Sequence, residues 1–216
     1  DALEYGYLIN FHGATLPRGW HRTYPNLMTM ESVKGEEFIT FVQENADLAP
    51  AHCTVLPFAR NAFDPMDFTP MVLDSIPNIE KRTSAAFDLA LPVLFLSGIQ
   101  HIAEIPEGMA KMPDYVVDYL RDIPVDWDDS KFIDGLPGKF IIMARQKGTT
   151  WHIVGINAEE TPGTYQLDLS FIGEGQGLLI TDAEEGYFMS RQVTLQPEEF
   201  LEIKMKARGG FVLKVQ

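Results

Sequence analysis

Tyr165-Gln-Leu-Asp-Leu-Ser-Phe171 alternates strictly between apolar and polar side chains. A β-strand turns successive side chains to opposite faces, so this stretch reads as a strand with one buried and one solvated face. Outward from it, similar short candidates cover residues 139–144, 151–157, 165–170, 177–181, 192–195, 200–206 and 211–215. Turn residues at 135–138, Gly148 and Gly209-Gly210 separate many of them. Roughly seven short strands at this spacing, with no helical pattern after Trp127, predict an antiparallel β-sandwich.

The earlier residues have another texture. Tyr5-Gly-Tyr-Leu-Ile-Asn-Phe11 is nearly all apolar, as expected of a strand covered on both faces. Residues 32–45 show a helical pattern with Val33, Phe38, Phe41 and Val42 on the apolar side. A second short strand is expected at 53–58 and a third at 99–103. A helix is expected over 83–95, capped by Thr83 or Ser84 and ended or kinked by Pro92. Another follows Pro113, over 114–121. Strand–helix alternation predicts a parallel sheet or barrel, with the boundary to the sandwich near Pro124.

Composition narrows the partners. The chain has 216 residues, 45% of them hydrophobic, enough to bury a sizeable core in one domain or two. A formal net charge of −14 repels phosphate backbones, so no nucleic-acid partner is expected. The single cysteine, Cys53, has no internal disulfide partner and reads as core. The longest apolar stretch, 89–99, is short and interrupted by Pro92 and Gly98, so no membrane span is expected. The chain opens at Asp1 with neither an initiator Met nor a signal peptide, and is expected to be a piece of a longer protein.

Residues 12–37 (HGATLPRGWHRTYPNLMTMESVKGEE) are richest in groups that can do chemistry. His12 lies where the first strand ends, and barrel active sites are built at such ends. It reads equally as a strand-end histidine with a structural role. Arg18, His21, Arg22 and Tyr24 follow in a long loop suited to gripping hydroxyls. Glu31 and Glu37 lie about 120° apart on a helix and converge only if the Glu31 end is loop; otherwise both are helix N-terminal carboxylates favoured by the dipole. Arg60, Asp64 and Asp67 suit an active-site rim, although Asp-Pro and Asp-Phe-Thr-Pro are ordinary turn chemistry. Gln100, His101 and Glu104 sit at another strand end, with His101 as readily structural as functional. Trp127, Asp128 and Asp129 read as interdomain packing and a turn. Dinucleotide, P-loop, zincin, nucleophile-elbow and Cys/His metal motifs are all absent. Carboxylate chemistry remains.

His12-Gly13, Arg22-Thr-Tyr-Pro-Asn26, Glu31-Ser-Val-Lys-Gly-Glu-Glu37, Leu56-Pro-Phe-Ala-Arg60, Pro65-Met-Asp-Phe-Thr-Pro70, Ser97-Gly-Ile-Gln100, Trp127-Asp-Asp129 and Gly138-Lys-Phe-Ile-Ile-Met-Ala-Arg145 occur in this order. In this the chain resembles glycoside hydrolase family 97 along nearly its whole length. The resemblance implies α/β plus all-β architecture: residues 1–124 as the later part of a catalytic (β/α)8 TIM barrel and residues 125–216 as a C-terminal antiparallel β-sandwich. It implies an exo-acting, calcium-dependent hydrolase of terminal α-glycosides, periplasmic or secreted. Glu37 resembles the family's general acid, Glu31 a calcium ligand and His12 an active-site histidine, with Arg22 and Asp67 as further sugar-binding residues. Inverting members carry a glutamate directly after this histidine; Gly13 therefore resembles the retaining, α-galactosidase-containing branch, whose aspartate nucleophile lies on an earlier strand. The expected partners are an oligosaccharide or other α-glycoside and the missing N-terminal part of the same enzyme, without which this chain alone is expected to be inactive. An inverting α-glucosidase of the same family, and a non-catalytic carbohydrate-binding or scaffold module, are the alternatives.

Overall fold

The computed structural model describes residues 1–216. The first half carries two short strands, β1 (Ile9–Phe11) and β2 (Leu27–Met30), separated by helix α1 (Trp20–Thr23). Helices α2 (Gln43–Val55), α3 (Ala85–Leu94), α4 (Pro106–Met109) and α5 (Asp114–Arg121) follow. The second half runs through β3 (Asp129–Leu136), β4 (Phe140–Lys147), β5 (Thr150–Asn157), β6 (Gly163–Asp168), β7 (Gly175–Asp182), β8 (Phe188–Leu195), β9 (Phe200–Met205) and β10 (Gly210–Val215). No helix is long and apolar enough to cross a membrane.

The second half is the expected antiparallel sandwich. Its larger sheet has the order β3-β4-β5-β10-β7-β8, and β6 pairs with β9 as a second, two-stranded sheet. Val212 of β10 lies opposite Val154 of β5 and Ile180 of β7. These three belong to a core shared with α3, whereas Ile153, Leu179, Phe211 and Leu213 belong to the core that contains Leu167 and Ile203 of the small sheet. The central strands are thus buried on both faces, which is why 151–157 and 211–215 read as nearly continuous apolar runs. All ten residues of α3 are buried. Its burial makes the molecule three-layered at this point: helix, large sheet, small sheet.

The expected later part of a TIM barrel is not present as such. What stands in its place is a two-stranded parallel sheet, β1-β2, extended by one parallel bridge between Met30 and Met66. The strand expected at 53–58 is instead the end of α2 followed by a 3-10 turn, Leu56–Phe58. A short apolar run cannot distinguish a strand from a buried helix end. No strand forms at 99–103; Ser97 donates its hydroxyl to the Ile99 carbonyl at 2.7 Å, and the Gln100 amide bonds the Pro92 and Phe95 carbonyls. The helix expected over 32–45 is broken, since Ser32 has φ 48° and the Glu36 N–H is engaged by the Phe68 carbonyl at 2.8 Å. A 3-10 turn, Glu36–Thr40, and then α2 take its place. Helix α3 begins where expected, its Ser84 hydroxyl accepting from the Phe87 N–H at 3.1 Å. It runs on past Pro92 to Leu94.

Candidate active site

Three residues that immediately follow the parallel segments meet at one end of the small parallel array. His12 follows β1, Glu31 follows β2, and Asp67 follows the bridged Met66. Backbone bonds fix this register: the Glu31 N–H to the Phe11 carbonyl and the Asp67 N–H to the Met30 carbonyl, each at 3.0 Å. Arg60 staples the same layer from within. Its buried guanidinium donates to the Met30 and Pro65 carbonyls at 2.7 and 3.0 Å and to those of Asp64 and Glu31 at 3.1 and 3.2 Å. A rim position was expected for Arg60; the structure places it in the support.

The half-exposed imidazole of His12 is the hub. Its Nδ1 lies 3.1 Å from Asp67 Oδ2, and its Nε2 lies 3.3 Å from Glu37 Oε1 and 3.6 Å from Glu31 Oε1. The bond to buried Asp67 holds the imidazole pKa above its ordinary value, opposed by partial desolvation and helped by the Glu31 and Glu37 charges. Glu37 projects from the 3-10 turn with its side chain 45% exposed, so it is both tethered to His12 and open to a ligand. Glu31 is buried, its Oε2 accepting the Gly13 N–H at 2.5 Å. Gly13 reaches that geometry at φ +66°, a backbone conformation that side chains disfavour.

Of the sequence candidates, the structure brings together His12, Glu31, Glu37 and Asp67. Arg22 stays apart: it lies exposed on α1, and its side chain makes no hydrogen bond or ion pair. Its neighbour His21 pairs with Asp64 at 2.8 Å. Two residues join the cluster that the sequence did not single out for a role. His101 Nδ1 lies 3.6 Å from Asp67 Oδ1 and 3.2 Å from the Asn10 amide nitrogen. Asn10 could have been found as the inward neighbour of His12 on β1; His101 lies on irregular chain and carries no such signal.

The ligand atoms of His12, Glu31 and Glu37 all lie within 4.8 Å of one another. A hard cation such as calcium takes six to eight oxygen ligands and disfavours imidazole. The free Oε1 of Glu31, on a carboxylate already fixed by Gly13, fits one place in such a shell. His12 does not fit, and the remaining oxygens are not in this cluster.

Comparison with known proteins agrees with this layout. Residues 126–216 match the family model for the glycosyl-hydrolase 97 C-terminal, oligomerisation domain. A "Probable retaining alpha-galactosidase" of Streptomyces bingchenggensis is 36% identical over 206 residues, covering 94% of this chain and 31% of that protein. The crystal structure of a β-arabinopyranosidase superposes with a TM-score of 0.93 at 29% identity, covering 99% of this chain and 35% of that one. A family 97 enzyme from Pseudoalteromonas sp. strain K8, solved with panose, gives 0.89 at 26% identity, covering 100% and 35%. The chain thus spans about a third of the length of these relatives. With its sandwich half matched by the family's own model and its whole length matched by these relatives, the chain belongs to glycoside hydrolase family 97.

Proposed function

We propose that this chain is the acid-bearing segment of a retaining exo-α-glycosidase acting on α-galactosides, with Glu37 as general acid and base. The observation that carries the reading is the placement of Glu37: half exposed, 3.3 Å from His12, beside a cluster assembled at the C-terminal ends of parallel strands. Glu37 would protonate the leaving oxygen while an aspartate from outside this chain attacks the anomeric carbon. It would then take a proton from the water that releases the sugar. His12, held by Asp67, would orient Glu37 and hydrogen-bond the sugar, with His101 on the far side of Asp67. Arg22 would reach the site only from its exposed position on α1.

Retention is favoured by Gly13. A glutamate there would have to adopt a left-handed backbone, and the Gly13 N–H already serves Glu31. The named activities of the relatives favour a galactoside-like sugar: an α-galactopyranoside and a β-L-arabinopyranoside share the same ring stereochemistry and differ by one hydroxymethyl group. The β1-β2 pair would be part of a larger barrel completed by the remainder of the protein, in a periplasmic or secreted enzyme. Glu31 would supply one oxygen to a bound calcium, whose positive charge would offset the carboxylates around His12.

The test is hydrolysis of an aryl α-galactoside by the full-length protein, followed by NMR. An α-anomer released first supports retention, and a β-anomer overturns it. Glu37→Gln should lower kcat by about 100-fold or more on a poor leaving group. Unchanged activity in that variant removes Glu37 from its role.

A further inference from the structure

Helix α3 is gripped at both ends by the sandwich. At its start, Asp182, at the end of β7, accepts the Ala86 N–H at 3.1 Å and the Gly210 N–H at 3.2 Å. At its finish, Arg145 of β4 donates to the Val93 carbonyl at 2.7 Å and the Leu94 carbonyl at 3.0 Å. A carboxylate at the N-terminus and a guanidinium at the C-terminus complement the helix dipole and satisfy groups that the helix leaves open.

On α3 stands Asp88, 1% exposed, its carboxylate 2.6 Å from the ammonium of Lys81. Lys81 also donates to the Val72 carbonyl. The third member is Glu36, 2% exposed, with no hydrogen-bond partner for Oε1. Desolvation, and next the Asp88 charge, push its carboxyl well above the ordinary range, while the Lys81 charge opposes this. Asp88 is pushed the same way by its own burial. Buried ionisable groups are costly unless paired, so such a cluster is a demanding way to fill a core.

Its position gives it a use. Glu36 opens the 3-10 turn that carries Glu37, and its N–H is bonded to the carbonyl of Phe68, the residue after Asp67. Gly35 lies so close that a Cβ there would come within 2.5 Å of the same Phe68 oxygen. Two consecutive glutamates therefore point apart, one locked into the interior beside Asp88 and Lys81, the other facing His12.

We propose that Asp88, together with Lys81 and Glu36, is a positioning residue for Glu37, through which the sandwich and α3 hold the acid on its turn. This rests on the reading of Glu37 as general acid. The turn's own backbone bonds are few, and an interior anchor at Glu36 sets the direction of its neighbour.

The experiment uses the full-length protein and two aryl α-galactosides. Phenol leaves only with a proton supplied, whereas 2,4-dinitrophenol leaves without one, and kcat/KM reports the step in which it departs. Asp88→Asn should lower kcat/KM for the phenyl substrate about tenfold and leave the dinitrophenyl substrate nearly unchanged, a contrast that general loss of folded enzyme cannot produce. Arg145→Lys, which weakens the grip on α3 without touching the cluster, should show the same contrast at smaller size and carries the test if Asp88→Asn does not fold. Equal losses on both substrates, or no loss on either, overturn the proposal. Glu37→Gln, measured in parallel, separates the two ideas. If it shows the contrast and Asp88→Asn does not, only the positioning role falls. If Glu37→Gln shows none, the acid assignment itself falls.

Discussion

Asp67 holds the Nδ1 side of His12 at 3.1 Å and is itself 2% exposed, so the charge that orients the imidazole is shielded from water. Hydrogen bonds to charged groups are worth about 1.5–3 kcal/mol, more than neutral ones. Asp67→Asn keeps the shape and removes the charge, leaving His12 free to turn from Glu37. We expect kcat/KM on an α-galactoside to fall about 10- to 100-fold. Steady-state kinetics check this, and a variant within twofold of the parent would show that His12 is oriented by other contacts.

Gly13 predicts a separate, smaller effect. A Cβ there meets nothing within 4 Å, so Gly13→Ala encounters no clash, only the strain of φ +66°. That strain is about 1–2 kcal/mol. Relieving it would draw the Gly13 N–H away from Glu31, whose buried carboxylate has few other donors. Urea denaturation should show a loss of about 1 kcal/mol, and calcium affinity should fall with it if Glu31 is a ligand.

The site was more legible in the sequence than the fold that presents it. His12, Glu31, Glu37 and Asp67 sit in short polar motifs next to apolar runs, so their strand-end character shows. The sandwich was legible because its strands alternate or are continuously apolar. Strand β3 escaped notice because it is an edge strand with mostly exposed or half-exposed residues and little apolar signal. The helix breaks near Ser32 and Gly35 were hidden for another reason: they follow from Phe68, a residue distant in sequence. The clamp on α3 was invisible in the same way. Nothing in the neighbourhood of Arg145 or Asp182 reveals that each will end on the same helix.

Arg145 makes that clamp testable by stability. It is 6% exposed, has no carboxylate partner, and burial lowers its pKa to about 10. Its guanidinium bonds instead to the Val93 and Leu94 carbonyls and the Ser130 hydroxyl. Arg145→Leu fills the space but strands those carbonyls, each unmet group costing about 1–3 kcal/mol. We expect about 3 kcal/mol of lost stability in urea denaturation. A loss under 1 kcal/mol would mean that water replaces the guanidinium at the helix end.

His152 governs acid stability. It lies on β5, buried between Trp127 and Tyr119, with ring centroids 5.3 and 5.8 Å away and no partner for Nδ1. Desolvation first, and the nearby Lys214 charge second, lower its pKa to about 4, against an ordinary 6.5. Between those values the unfolded chain binds a proton that the folded chain refuses, so stability falls as pH falls from 6.5 towards 4. Above that window both states are neutral, and below it both are protonated, so the effect is confined to it. The shift amounts to about 3 kcal/mol across the window. Other buried groups titrate in acid too: Glu36 and Asp88, whose pKa values are raised, act in the opposite sense. The informative quantity is therefore the difference between the parent and His152→Phe, which keeps an aromatic ring in the same gap. Relative to the parent, the variant should gain about 2–3 kcal/mol between pH 7 and pH 4.5 in urea denaturation. If the gap between the two proteins stays constant over that range, the histidine is protonated inside the fold and the aromatic pocket does not exclude its charge.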